Sequence, residues 1–521
     1  MKKTITKTNK NTKKCAMFNH FKRTKIIATC GPSITQKLWS LEDLENPKNA
    51  ELKKLAYENM QAIIEKGVTA IRLNFSHGNH AEQLVRIKIA REVAAKLGIP
   101  ISIVLDTQGP EIRIGQVAPE GCKILQGDTV KIYTRKNIVG SGKQFYATDA
   151  SGKYNMIDDL KIGSHVLVDD GKLSMEVIEL NKKDNILVCK ALNSHTVISH
   201  KRINLPHADY SIPFLSEKDI GDLKFGIENK VDYVAASFVN SGANIKELRK
   251  ILDDNGGKGI KIISKVESTQ AIKNIDDIIN LSDAVMVARG DLSLEIPYYE
   301  VPHWERYIIK MCRFKNRRVV VATQMLDSLE KNIQPTRAEV TDVYFAVDRG
   351  ADSTMLSGET ANGLYPIVAV DVMSTINKQS EVLFDYERAT KYYFPKSPVS
   401  KSYFGELVAK VAKKTCPPRL VGNKGFGYDF VVHFTNNIRE IYALANARIA
   451  ASVIIVTDDD KIYTGHGIDY GILTYKVDDL KAAKNEYAKV AKQAINRYKE
   501  FGKIKSDLSN LVIFNNRVNK L

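Results

Sequence analysis

Eight short apolar runs punctuate the chain: Thr24–Thr29, Ala70–Phe75, Ile101–Asp106, Tyr233–Phe238, Ile260–Glu267, Ala284–Arg289, Val319–Gln324 and Ser353–Gly358. Each is apolar throughout rather than at alternate positions. That is the pattern of strands buried on both faces of a parallel sheet. Stretches with helical spacing lie between or after them: Glu51–Lys66, Ala81–Leu97, Ser216–Asn229, Ile245–Asp254, Thr269–Asn280, Val301–Asn316, Thr336–Asp348 and Pro366–Leu383. A strand followed by a helix, eight times over, predicts a (β/α)8 barrel. The expected barrel pieces, 21–110 and 208–384, together come close to the roughly 250 residues typical of that architecture.

One connection is too long to be a bare loop. Residues 111–207 follow the third strand and carry β patterns of their own at Thr129–Tyr133, His165–Val168, Lys172–Leu180 and Asn185–Leu192. Turns are expected at Asp170-Gly171 and Lys183-Asp184. The segment reads as a small inserted β-barrel domain at the C-terminal mouth, where the sites of such barrels lie, and is placed to act as a lid. Residues 385–521 return to α/β, with strands at Phe430–Phe434, Ser452–Val456 and Leu511–Phe514 and helices at Asn437–Ala447 and Asp478–Phe501. Residues 1–20 form a basic extension with no apolar signal-peptide core.

Composition narrows the class. The 521 residues are 44% hydrophobic and 26% charged, ordinary for a globular protein. The net charge of +17 comes from lysines scattered along the chain, not from a basic stripe with interleaved aromatics. It therefore suggests a field that favours anionic substrates rather than a nucleic-acid partner. No apolar run approaches the roughly 18 residues of a membrane span. The six cysteines are dispersed without a CxxC pair, which fits a reducing cytoplasm and argues against a disulfide framework or a zinc site.

Candidate chemistry gathers at the ends of the predicted strands. Lys265 and Glu267, two apart, share a face at the end of strand five. Asp291 follows strand six in Ala288-Arg289-Gly290-Asp291. Two carboxylates beside a lysine suit a magnesium ion held against a phosphate, with the ammonium offsetting charge on a moving phosphoryl group. Gly290 and Asp291 open a short predicted helix whose free amides can hold a carboxylate. Arg72, Asn74 and Ser76 alternate at the end of strand two, Asp106 and Thr107 end strand three, and Arg113 follows. Two arginines suit phosphate, and the oxygen-bearing side chains suit a hard cation. Thr323, near the end of strand seven, can turn its hydroxyl to the same pocket. Taken singly, each of these residues also has a plain structural reading as an ion pair, a loop hydrogen bond or a buried strand threonine.

Together the motifs resemble the pyruvate kinase family. The stretches carrying the resemblance include TKIIATCGPS, IRLNFSHG, LDTQGPEIRIG, VDDGKL, IKIISKVE, DAVMVARGDLSLEIP, VATQMLDSL and GADSTMLSGETANGLYP, in order across about residues 21–384. The resemblance implies transfer of a phosphoryl group from phosphoenolpyruvate to ADP, the last step of glycolysis. A non-catalytic metabolite-binding or scaffolding relative is the alternative. It implies that Lys265 stabilises the transferring phosphoryl group and that Glu267 and Asp291 bind Mg²⁺ (or Mn²⁺). Arg72 holds the substrate phosphate, with Arg113 in support. The amides of Gly290 and Asp291, with Thr323, hold the carboxylate, and Thr323 belongs to the relay that protonates the enolate carbon. Asn74, Ser76, Asp106 and Thr107 match a K⁺ site, Glu111 matches the acid that accompanies K⁺ dependence, and His77 matches a contact to ADP/ATP. A cytoplasmic homotetramer is implied as well. Gln108, Ser293 and Asn362 depart from the family's usual Lys, Gly and Lys. The C-terminal region has Phe434-Thr435-Asn436-Asn437-Ile438-Arg439 in place of a Gly- and Ser/Thr-rich phosphate loop, which weighs against sugar-phosphate activation.

Overall fold

The computed structural model describes residues 20–149, 151–208, 211–416, 427–506 and 508–521. All of the expected basic extension except His20 lies outside them. Eight parallel strands, Lys25–Thr29, Ala70–Asn74, Ser102–Asp106, Tyr233–Ala236, Lys261–Val266, Ala284–Ala288, Arg318–Ala322 and Ser353–Leu356, close into a barrel in chain order. Pairing of Lys25 with Ser353 joins the last strand to the first. Every residue of these strands except Asn74 is buried. Burial on both faces follows from their composition, because one face meets the barrel interior and the other the ring of helices.

The helices start and stop on local signals. Ser216 with Asp219 and Thr336 with Glu339 form capping boxes that satisfy the free amides of helices Glu217–Glu228 and Arg337–Arg349. Gly350, at φ 105°, ends the second of these in the left-handed region. The predicted helix Thr269–Asn280 is two helices, Thr269–Lys273 and Ile275–Leu281. They part at Asn274, which sits at φ −105°, ψ 18° and donates its amide side chain to the Asn240 carbonyl at 2.8 Å. The predicted helix over 478–501 splits likewise at Glu486.

The inserted segment is a second closed barrel of seven strands with its own apolar core. Besides the four expected strands it contains Ile112–Ile114, Gln144–Asp149 and Arg202–Asn204, and a separate ribbon pairs Cys122–Ile124 with His195–Val197. The C-terminal sheet has five strands in the order Ile472–Lys476, Ser452–Thr457, Tyr428–Phe434, Ser509–Phe514, Arg517–Lys520. The first four are parallel and the last is antiparallel.

The loop before this sheet's edge strand forms the floor of the eight-stranded barrel. Ile468 packs into the barrel interior beside Ile27, Val104, Tyr233, Met286 and Met355. Strand residues hold the loop's backbone: Tyr233 Oη donates to Gly465 O at 2.6 Å, Ser353 Oγ to Ile468 O at 2.8 Å and Thr69 Oγ1 to Gly467 O at 2.6 Å. Lys261 donates to Gly465 O and Lys25 to Ile472 O, and Arg318 pairs with Asp469 at 2.8 Å.

Candidate active site

At the opposite, C-terminal end of the strands lies a polar cavity of about 360 Å³, roofed by the inserted barrel. Lys265, Glu267, Arg72, Asn74 and Ser76 reach it from strand ends, and Asp291 reaches it from the short helix Arg289–Glu295. His77, Glu111, Arg113 and Arg202 also line it. The alternation Lys265-Val266-Glu267 turns both charged groups inward, and their Nζ and Oε1 atoms are 2.9 Å apart.

Charge neutralisation organises the cluster. Lys265 Nζ lies 3.0 Å from Asp106 Oδ1 and donates to Ser237 Oγ at 2.7 Å. Arg72 Nε donates to the other oxygen of Asp106 at 2.6 Å and Nη1 to Thr29 Oγ1 at 2.9 Å. Burial works against the Lys265 ammonium, but Asp106 and Glu267 raise its pKa above the ordinary lysine value. Burial would likewise raise the Asp106 carboxyl, but Arg72 and Lys265 bring it below the usual range. Glu267 goes the other way. Burial pushes its carboxyl up, and the Asp291 charge adds to the rise against the opposing pull of Lys265. Asp291 is held low against burial by Arg202 and Lys265.

The Glu267 and Asp291 pair fits a divalent ion. Glu267 Oε2 accepts from the Phe238 amide at 2.7 Å, whereas Oε1 is buried and, although close to Lys265, has no directed hydrogen bond. Two oxygen donors and an adjacent cavity suit magnesium, which keeps most of its coordination for water and phosphate. Among the described residues no three His, Cys, Asp or Glu side chains form a dedicated metal cage.

Other candidate residues are already engaged with protein partners. Thr107 is buried, and its Oγ1 accepts from the Ser237 amide at 3.1 Å. Asn74 Oδ1 accepts from the Ser76 amide at 3.1 Å. Arg113 donates Nε and Nη2 to Glu111 Oε2 at 2.9 and 2.6 Å. His77 is held below its usual pKa, first by partial burial and then by the charge of Arg113. Thr323 and Gly290 lie together but off the cavity lining: the Gly290 amide donates to Thr323 Oγ1 at 2.7 Å, and that hydroxyl donates to Ala322 O at 2.6 Å. Thr323 and Gln324 sit at φ 67° and 51°, a costly conformation for a β-branched residue. Arg289 donates to both of their carbonyls, at 2.9 and 3.3 Å, and so helps to hold the turn. Ser293, one of the departures, bonds back to the Gly290 carbonyl at 2.7 Å.

Sequence reading missed Arg202, Ser237 and Phe238. Arg202 comes from the far end of the insertion and pairs with Asp291 at 2.6 Å. Ser237 and Phe238 follow strand four, and Phe238 stands at φ 54°.

A model of the pyruvate kinase barrel domain matches residues 21–370. The chain belongs to the pyruvate kinase family. A pyruvate kinase of Mycoplasma pneumoniae is 57% identical over 505 residues, covering 96% of this chain and 99% of that one. One of Mycoplasma genitalium is 56% identical over the same span. The crystal structure of Cryptosporidium parvum pyruvate kinase superposes with a TM-score of 0.80 at 31% identity, covering 96% of this chain and 97% of that one. Family membership thus extends over both barrels and the C-terminal sheet, beyond the region where the motifs are strongest.

Proposed function

We propose that this chain moves the phosphoryl group of phosphoenolpyruvate to ADP, giving pyruvate and ATP, in the cavity beneath the inserted barrel. The observation that carries the reading is Lys265, an ammonium fixed between Asp106 and Glu267 with Asp291 beside them. A cation so held is pre-aligned and stabilises charge on the phosphoryl group as it transfers. Arg72 orients the substrate phosphate, Arg113 supports the phosphates, and His77 meets the nucleotide. Thr323 and the amides of Gly290 and Asp291 receive the carboxylate once the Gly290 amide gives up its bond to Thr323 Oγ1, and the Thr323 hydroxyl passes the proton that converts enolate to ketone. That protonation makes the transfer strongly downhill. When bound by Glu267 and Asp291, Mg²⁺ or Mn²⁺ supplies positive charge to the phosphate and enol oxygens. Asn74, Ser76, Asp106 and Thr107 are assigned to K⁺.

The same reading assigns 21–110 and 208–384 to the catalytic barrel, 111–207 to the lid and 385–521 to the C-terminal domain. It places the enzyme in the cytoplasm, which the five free cysteines among the described residues support. It expects a homotetramer, and exposed aromatics on the barrel flank, Tyr298, Tyr299 and Phe345, support a subunit contact there. In the C-terminal loop, Glu440 accepts from Thr435 Oγ1 at 2.6 Å, a carboxylate poorly suited to a phosphate cradle. A coupled assay for pyruvate with Mg²⁺ and K⁺ tests the proposal, run with and without sugar phosphates. Turnover that is unchanged by sugar phosphates is expected. Absence of pyruvate would leave the metabolite-binding alternative standing.

A further inference from the structure

The ion pair between Arg202 and Asp291 ties the inserted barrel to the mouth of the eight-stranded barrel. Arg202 begins the strand Arg202–Asn204 of the inserted barrel, and Asp291 belongs to the helix Arg289–Glu295 at the catalytic mouth. Nη1 lies 2.6 Å from Asp291 Oδ1 and 3.9 Å from Glu111 Oε1. The guanidinium stands 5.1 Å from the centre of the Phe238 ring, whose own amide is spent on Glu267. Arg202 Nη2 is buried without a hydrogen-bond partner among the described residues. The arginine is therefore held mainly by its charged contact with Asp291, with an incomplete set of acceptors for its N–H groups. The lid meets the same helix a second time: a Cβ added at Gly171 would come within 3.1 Å of Leu294.

We propose that Arg202 is a positioning residue that stands in for the divalent ion, occupying Asp291 and latching the inserted barrel to the mouth until the ion displaces it. This rests on the reading of Glu267 and Asp291 as the ion's ligands. A carboxylate oxygen engaged by a guanidinium does not offer the same lone pair to an ion that binds oxygen at roughly 2.0–2.1 Å. Two cations on one carboxylate, without water between them, also repel strongly. Once released, Arg202 has Glu111 as the next carboxylate within reach. Ion binding and lid position are then linked, because each has a different affinity for the two states of one side chain.

Mn²⁺ binding to the full-length protein, read by electron paramagnetic resonance or calorimetry without substrates, tests this alongside hydrogen exchange of the strand Arg202–Asn204. Arg202→Ala is expected to bind Mn²⁺ about tenfold more tightly, and its strand to exchange faster than wild type in the ion-free state. Arg202→Lys keeps the charge and is expected to stay near wild type. Arg202→Gln fills similar space without charge and takes the place of the alanine variant if that one unfolds. Asp291→Asn separates the two levels of the argument. If it abolishes Mn²⁺ binding while both neutral Arg202 variants bind no more tightly than wild type, the latch is overturned and the metal site stands. If Asp291→Asn binds normally, the ligand assignment fails and the latch fails with it.

Discussion

At the residue scale the site is a set of charges arranged to cancel. Lys265 is the centre of that balance, so Lys265→Met removes the cation assigned to the transfer and leaves Asp106 and Glu267 without the ammonium between them. Turnover is expected to fall by at least roughly 10²–10³, and steady-state assays beside a circular-dichroism melt distinguish this from unfolding. Retained turnover would refute the assignment. Glu111 leads to a second expectation, that activity requires K⁺; full turnover in buffer free of K⁺ and Na⁺ would contradict it. Lys265, Glu267 and Asp291 were legible in the sequence because strand alternation and barrel order fix where such residues point. Arg202 was not, because its partner lies in a different barrel and no local spacing encodes that meeting. The positive φ of Thr323 and Phe238 was equally hidden, since neither side chain advertises a left-handed backbone.

At the element scale, patterning worked for strands buried on both faces and for the longer half-exposed strands of the insertion, and failed mainly where strands are short. All eight strands of the larger barrel are mostly apolar, with polar residues chiefly towards their ends. The missed Ile112–Ile114, Cys122–Ile124, His195–Val197 and Arg202–Asn204 have three residues each, too few to establish a period. Gln144–Asp149 buries only Phe145 and Ala147, and its polar positions masked it. Helix breaks at Asn274 and Glu486 escaped because apolar spacing continues across both. Caps link elements to the site as well. Asp219 accepts from the Ser216 amide at 3.0 Å and from the Gln108 and Gly109 amides at 3.1 and 3.2 Å. One buried carboxylate thus joins a helix start to the chain entering the inserted barrel. Asp219→Ala strands these donors and is expected to cost about 2–3 kcal/mol, measured by urea unfolding. Asp219→Asn, which keeps one acceptor, is expected to lose less.

At the scale of the whole molecule, the C-terminal loop that floors the barrel also makes stability depend on pH. His466 bonds to Asp469 beneath the barrel, and burial, with Lys261 nearby, lowers its pKa from 6.5 to about 4. In the unfolded chain the imidazole takes its proton near 6.5, but in the folded state only near 4. Between those values the unfolded state holds more protons, so stability falls as pH drops from 6.5 towards 4. Melting temperatures of wild type and His466→Asn across that window are expected to diverge at the acidic end, with the variant the flatter of the two. Parallel profiles would remove His466 as the cause. The position of Ile468 also bears on the order of assembly. The ribosome releases all eight staves of the cylinder before it makes the piece that seals their base. Until residue 472 has emerged, the nascent chain carries an open-bottomed core with wet apolar walls, a stage at which a chaperone has most to protect.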